Sequence, residues 1–428
     1  MAPDLEVAIA GAGPAGVATA VALVRRDPSL RGRVAVFDRA RFPRQKPCGG
    51  GLTGHAEEAM AALGLALTVP HLPAPRARVT FGAVDRAVTL ARPVRVIRRE
   101  ELDASLVAQA RDLGVDVREG APVEGARVDD GRVHFGAGGR SLTARLLVGA
   151  DGAGSAVRKL LRGERRADAP DAERTRPIRL FRAELRAPRR AAISDDTMLY
   201  DFTAMPEGLR GYVWIFPVPG GRINVGLMHA PTRALSGAEL TAMLARHLRR
   251  FGVSLEDDAD DRGALRGWPA WGYEPGAPVS APHLLVVGDA AGIDALTGEG
   301  IAVGMEQAVI AAAAITDALA RGDFRLRGYR RALRRATVGR ELAIDRWLAR
   351  LLYGEGELIG DGWRRWLPLV LWDERMLELY AARVCGSLVL ADRKRSLVAA
   401  LLRHLAAGGG RARQLLAAEG ELPKLLAA

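Results

Sequence analysis

The stretch Leu5-Glu6-Val7-Ala8-Ile9-Ala10-Gly11-Ala12-Gly13-Pro14-Ala15-Gly16 decides the fold. Its apolar run reads as a buried strand from Leu5 to Ala10, and Ala15 to Arg26 reads as a helix. Gly11, Gly13 and Gly16 make a GxGxxG turn between them. In such a turn the first glycine permits the tight bend, the second lets the backbone approach a pyrophosphate, and the third lets helix and strand pack closely. Pro14 and Ala15 open the helix, whose N-terminus faces the negative charge. Arg33 to Phe37 is the next strand, and Asp38 closes it at the position expected to accept ribose hydroxyls, with Arg39 beside it. Residues 5 to 38 therefore read as one βαβ unit built for a dinucleotide.

Two further segments extend this reading. Gly149-Ala150-Asp151-Gly152-Ala153-Gly154-Ser155 follows an apolar strand and opens a helix. It is similar to the Asp-Gly fingerprint of the flavin hydroxylase fold, a resemblance that implies Asp151 and Gly152 at the cofactor, while Asp151 and Ser155 equally suit a cap of that turn and helix. The third segment is a strand from Leu284 to Gly288, then Asp289-Ala290-Ala291-Gly292, then Leu296-Thr297-Gly298-Glu299-Gly300-Ile301. Asp289, at the strand's end, can bind ribitol hydroxyls. The main-chain N–H groups of Gly298, Gly300 and Ile301 open a long helix and can face a flavin's pyrimidine end, where a helix N-terminus stabilises the charge of the reduced ring. A domain for NAD alone needs no such second anchor far downstream of the first. FAD is the expected cofactor, held by a domain that is discontinuous in sequence.

At 428 residues, two interwoven domains and a tail are expected. A hydrophobic fraction of 49% with 26% charged residues excludes a disordered or fibrous chain. The net charge of +12 is nearly all arginine, because Lys46, Lys159, Lys394 and Lys424 are the only lysines. No basic helix with base-reading spacing accompanies it, so nucleic-acid binding is not expected. Cys48 and Cys385, the only cysteines, leave no disulfide framework, and a reducing cytoplasm fits. The apolar run Ile301 to Leu319 carries Glu306, Gln307 and Asp317, which favours an interior or amphipathic helix over a bilayer span. The histidines lack ligand spacing, and no metal is expected.

Lys46-Pro47-Cys48-Gly49-Gly50-Gly51-Leu52 is similar to a segment of geranylgeranyl reductases. Tyr212-Val213-Trp214-Ile215-Phe216-Pro217, with Asn224-Val225-Gly226 after it, resembles that family's Tyr-x-Trp-x-Phe-Pro signature; Leu209 stands where the signature often begins with proline. The matching motifs run from residue 5 to about 320.

The fold expected is α/β + β: a three-layer Rossmann-type FAD-binding domain, an antiparallel-sheet substrate domain and a helical C-terminal region. Residues 1–75, 99–176 and 276–325 are assigned to the first, 76–98 and 177–275 to the second, and 326–428 to the third. The resemblance implies hydride delivery from reduced FAD to an isoprenoid carbon–carbon double bond. It places Cys48, Gly49, Gly50 and Arg99 near the flavin and makes Cys48, Tyr212 and Trp214 the catalytic candidates. An unactivated alkene has no polar handle, so a dry, elongated pocket must position it by shape. Tyr212, Trp214 and Phe216 alternate along one strand and share a face, as a wall for a prenyl or polyketide-like substrate or as domain core.

Two rivals share the scaffold. One is an oxygen-using hydroxylase or halogenase, although the halogenase signature Trp-x-Trp-x-Ile-Pro differs at Tyr212 and Phe216. The other is a non-catalytic prenyl-binding protein. NAD(P)H and ferredoxin both stay open as electron donor. The basic tail after Tyr329, with Trp347, Trp363, Trp366 and Trp372, suits helix packing or a peripheral contact with the inner face of the membrane.

Overall fold

The structure, a computed structural model, describes residues 3–163, 177–188, 193–230, 235–256, 264–354, 363, 367, 371 and 374–393. The chain begins with β1 (Leu5–Ala10) and α1 (Pro14–Arg26), where Pro14 takes the first helical position and Arg25 and Arg26 complement the helix dipole in the last turn. Then come β2 (Val34–Asp38), β3 (Gly51–Leu52), α2 (Gly54–Ala62), β4 (His71–Phe81), β5 (Val84–Ile97), α3 (Arg99–Asp112) and β6 (Asp116–Glu119). A meander of β7 (Glu124–Asp129), β8 (Arg132–Ala137) and β9 (Arg140–Gly149) leads to α4 (Ala156–Arg162). The strands β10 (Ile178–Arg186), β11 (Thr197–Asp201), β12 (Val213–Val218) and β13 (Arg222–His229) precede α5 (Gly237–Arg249) and β14 (Arg266–Ala270). After β15 (Ser280–Ala281) and β16 (Leu284–Val286) the chain is helical: α6 (Ile301–Arg321), α7 (Tyr329–Arg335), α8 (Thr337–Tyr353) and α9 (Glu374–Val384).

The first sheet has the order β15-β16-β9-β1-β2-β6 and is parallel from β16 to β6. Strand β9 changes neighbours along its length. Its first half pairs antiparallel with β8, as Ala137 with Arg140, and its second half runs parallel to β1, as Val7 with Leu146. Helices α1, α3 and α6 cover this sheet, and the meander packs on it through Phe135, edge-on to Phe37 at 5.5 Å, so helices, sheet and meander form three layers. A Cβ on Gly304 of α6 would lie 3.1 Å from the Ala15 Cβ, which explains the small residues where α1 and α6 cross. Helix α6 is the one described helix long and apolar enough to span a bilayer, and Met305, Ala308, Ala312 and Ile315 bury it in this core.

The second sheet runs β14-β10-β13-β12-β11-β4-β5-β3 and is antiparallel at every join but one. The exception is β11 with β4, parallel in the register Thr197 to Arg76. These strands come from distant segments, so no hairpin dictates their direction. The sheet takes in β3 and all of β4, and so draws on residues ahead of the boundary expected at 76.

Each face of the second sheet has its own core. On one, Val213, Ile215 and Leu199 pack under α5, whose start carries a reciprocal Ser236 and Glu239 capping box. On the other, Tyr200, Trp214 and Phe216 gather with Ala349 and Tyr353 of α8 and Leu377 and Ala381 of α9. Trp363 is buried edge-on to Phe81 at 6.0 Å, while Trp347 is exposed. Trp366 and Trp372 lie outside the described residues.

Candidate functional site

Strands β1, β9 and β16 end side by side, and the loops leaving them open onto a cleft of about 1400 Å³, part of it open to solvent, that residues of the second sheet complete. Gly13, Pro14 and Ala15 bring the start of α1 to this cleft. Gly298, Gly300 and Ile301 bring the start of α6 to the same cleft, and Asp289 is on its lining, 3.8 Å from the Lys46 ammonium. β16 stops at Val286 because Gly288 turns the chain with a φ of +64°, and the buried Gln307 secures that turn by accepting the Gly288 N–H at 2.7 Å. Gly152, Cys48, Gly49, Gly50, Arg99, Tyr212 and Trp214 line the same space.

Five residues expected at the cofactor lie off the cleft. A Cβ on Gly11 would sit 2.3 Å from the Ala150 carbonyl oxygen, and one on Gly16 would sit 1.9 Å from that of Gly11, so these two glycines let β1, α1 and β9 pack. The Asp38 carboxylate is buried and accepts the Ala12 and Ala40 N–H groups, each at 2.8 Å, which ties the glycine turn to β2. Arg39 is exposed. Asp151 accepts the Ala156 N–H at 2.8 Å and, with Ser155, caps α4.

Around Cys48 the contacts are dense. Its sulfur accepts the Gly50 N–H at 3.4 Å, and its carbonyl accepts from Asn224 Nδ2 at 2.7 Å. The Asn224 Oδ1 accepts the Trp214 indole N–H at 2.9 Å, so one amide joins the cysteine loop to the aromatic strand. Arg99 grips the fully buried Asp103 with two hydrogen bonds, at 2.9 and 3.0 Å, and Arg44 reaches the same carboxylate at 3.1 Å. Burial opposes the Arg99 charge, but Asp103 and the Cys48 sulfur beside it hold the guanidinium above its ordinary range.

Tyr200, Tyr212, Trp214 and Phe216 form a continuous wall, with Tyr200 5.5 Å from Tyr212 and 5.1 Å from Phe216 between ring centroids. Tyr200 and Trp214 are register partners across β11 and β12, which puts both rings on the cleft side. The Tyr212 hydroxyl donates to the Thr297 carbonyl at 2.5 Å and locks the wall to the loop before α6.

Reading the sequence missed Tyr200, Thr53 and Val384 as cleft residues, and it passed over Glu299 within a segment it had quoted. Glycine spacing signals a main-chain approach, whereas nothing local marks Tyr200 or Val384.

These residues fit FAD. Bare main chain at Gly13, Gly49, Gly298 and Gly300 leaves room for close approach, and two helix N-termini open on the one cleft, where helix-start amides suit a pyrophosphate and the anionic edge of a reduced flavin.

A family model described as an FAD binding domain matches residues 4–202. A menaquinone reductase of Mycobacterium tuberculosis is 31% identical over 329 residues, covering 72% of this chain and 75% of the relative. Among solved structures, a geranylgeranyl bacteriochlorophyll reductase-like protein from Thermoplasma acidophilum superposes with a TM-score of 0.70 at 18% identity, covering 96% of this chain and 98% of the other. Halogenase PltM, in complex with phloroglucinol and FAD, superposes with a TM-score of 0.62 at 14% identity, covering 90% and 85%. The last two likenesses are of fold.

Proposed function

We propose that this chain, which belongs to the same family of FAD-dependent oxidoreductases as the menaquinone reductase, acts as a geranylgeranyl reductase-like enzyme and saturates a carbon–carbon double bond in an isoprenoid or similar lipid-like substrate. The observation that carries this reading is the wall of Tyr200, Tyr212, Trp214 and Phe216 in the same cleft as both helix N-termini. A prenyl chain has no polar handle, and packed rings position it by shape while excluding water.

FAD, when bound and reduced, supplies the hydride. The start of α1 at Gly13, Pro14 and Ala15 would hold the pyrophosphate, and Asp289 would take the ribitol hydroxyls. The main chain of Gly298, Gly300 and Ile301 would hold the pyrimidine end, chiefly through the Gly300 and Ile301 amides because the Gly298 N–H donates to the Asp294 carbonyl at 3.2 Å. Arg99 and the glycines after Cys48, on the same lining, would set the cysteine loop beside the flavin. Asn224 keeps Trp214 and that loop in register. The exposed Arg330, Arg331, Arg334 and Arg335 of α7 and the exposed Trp347 of α8 support a peripheral contact with an anionic membrane on the cytoplasmic side, where such substrates dissolve.

The test is anaerobic incubation of the dithionite-reduced protein with prenyl lipids, a prenylated quinone such as menaquinone first, read by mass spectrometry. A gain of two hydrogens per bond is expected. Oxygen-dependent addition of an oxygen or a halogen instead would make the chain a hydroxylase or halogenase. NAD(P)H and reduced ferredoxin, compared as replacements for dithionite, identify the donor.

A further inference from the structure

Five carboxyl groups converge beside the aromatic wall. Glu299 precedes α6 and lines the cleft, and its carboxylate accepts the Thr53 hydroxyl at the start of α2. Arg383 of α9 reaches Glu299 at 3.4 Å, binds Asp345 of α8 at 2.5 Å and lies 3.1 Å from Glu341 of α8. Asp294, fully buried, interacts with Arg383 and Glu299; Glu306 of α6 interacts with Glu299, Arg383, Glu341 and Glu58. Tyr200 of β11 feels the charge of Glu299, and Tyr380 of α9 that of Asp294 and Asp345.

Among the described residues Arg383 is the cation seen in contact with this set, and carboxyls that share one site favour keeping a proton bound. Burial, reinforced by Glu299, pushes Glu306 up to about 7. Burial and the nearby Asp294 hold Asp345 well above the usual carboxylate range, and burial raises Asp294 too. Glu306 is thereby held partly protonated near neutral pH, and Asp294 and Asp345 are raised in the same direction.

Saturating an alkene needs a proton source, because a hydride added to one carbon leaves the other to take a proton. The phenols of Tyr200 and Tyr212 are poor sources, since burial pushes both upward. The Cys48 sulfur is engaged by the Gly50 N–H and by Arg99, and Lys46 lies against Asp289. Glu299 alone among these acidic groups both lines the cleft and adjoins the proton-holding set.

Building on the reductase reading, we infer that Glu299 relays a proton from the buried carboxyls of α6 and α8 to the substrate carbon and that Arg383 is a positioning residue that holds Glu299 against those carboxyls. A carboxyl of the buried set, Glu306 first, gives its proton to the Glu299 carboxylate. The O–H bond so formed breaks as the new C–H bond forms, the other carbon takes the hydride of reduced FAD, and the carboxylate left in the set takes a proton from solvent. Helix α9, which also brings Val384 to the cleft, thereby becomes part of the reaction apparatus.

The experiment compares wild type, Glu299→Gln, Glu299→Asp, Arg383→Gln and Arg383→Lys, each loaded with FAD, in single-turnover saturation of a prenyl quinone. Glu299→Gln is expected to slow saturation by roughly 10²–10⁴-fold, with Glu299→Asp recovering part of it. Arg383→Gln is expected to move the pH profile of the rate upward, and Arg383→Lys to move it back. An active wild type matched in rate by Glu299→Gln would overturn the donor assignment alone. A wild type that saturates nothing would remove the reductase reading and the donor with it. Independently of turnover, infrared spectra of the wild type at neutral pH should contain the carbonyl band of a neutral carboxylic acid, weakened in Asp345→Asn and Glu306→Gln; its absence would also overturn the proposal.

Discussion

At the scale of single residues, the glycine turn is held by sterics before it is held by any ligand. Gly11 has a φ of +101°, and a Cβ there would lie 2.3 Å from the Ala150 carbonyl oxygen, so substitution meets both backbone strain and a fixed main-chain atom. Gly32 also has a positive φ, +74°, but nothing lies within 4 Å of the place a methyl group would take there. Gly11→Ala should therefore destabilise by on the order of 3 kcal/mol and lose flavin. Gly32→Ala should cost about 1 kcal/mol and keep its flavin. Denaturant midpoints and the flavin absorbance of the purified variants decide this, and equal losses at the two sites would contradict the steric account.

At the scale of elements, α5 is docked on the second sheet by a buried histidine as well as by apolar packing. His247 is hydrogen-bonded to Asp201 at 3.2 Å through Nδ1 and to Glu207 at 2.8 Å through Nε2. Burial opposes its protonation, but the two carboxylates prevail and raise it above its ordinary value of 6.5. A histidine raised on folding contributes stability that is complete below about pH 6.5 and is lost as the pH climbs through the raised value. His247→Phe should cost about 1–3 kcal/mol under mildly acidic conditions by leaving Asp201 and Glu207 short of a partner, with the gap narrowing in alkali. Chemical denaturation of both proteins across that range is the check, and a gap that widens with pH would refute it.

For the whole molecule, the carboxyl cluster joins the two domains to the C-terminal helices, so its ionisation is felt globally. Glu306 rises from 4.5 to about 7 mainly through burial, which means that the folded chain holds a proton the unfolded chain releases. Stability should accordingly fall as pH rises from about 4.5 to about 7, by roughly 3 kcal/mol for this group. Glu306→Gln should flatten that decline, and thermal or denaturant midpoints of the two proteins on either side of the window measure it. Parallel pH dependences would show that the proton is held elsewhere.

Much of the fold was legible in the sequence, because main-chain geometry is written locally. Glycine spacing after an apolar strand specifies a tight turn and a bare helix start, and alternation at Tyr212, Trp214 and Phe216 specifies a shared face. Those rules supplied the FAD-binding fold and the loops around the cleft. They did not reach the parallel join of β11 to β4, nor the pairing of Tyr200 with Trp214 that completes the aromatic wall. Side-chain partners were harder still. A carboxylate accepts a backbone amide as readily as a ribose hydroxyl, and only the path of the folded chain assigned Asp38 to Ala12 and Ala40, Asp151 to the cap of α4, and Glu299 to an arginine that arrives from α9.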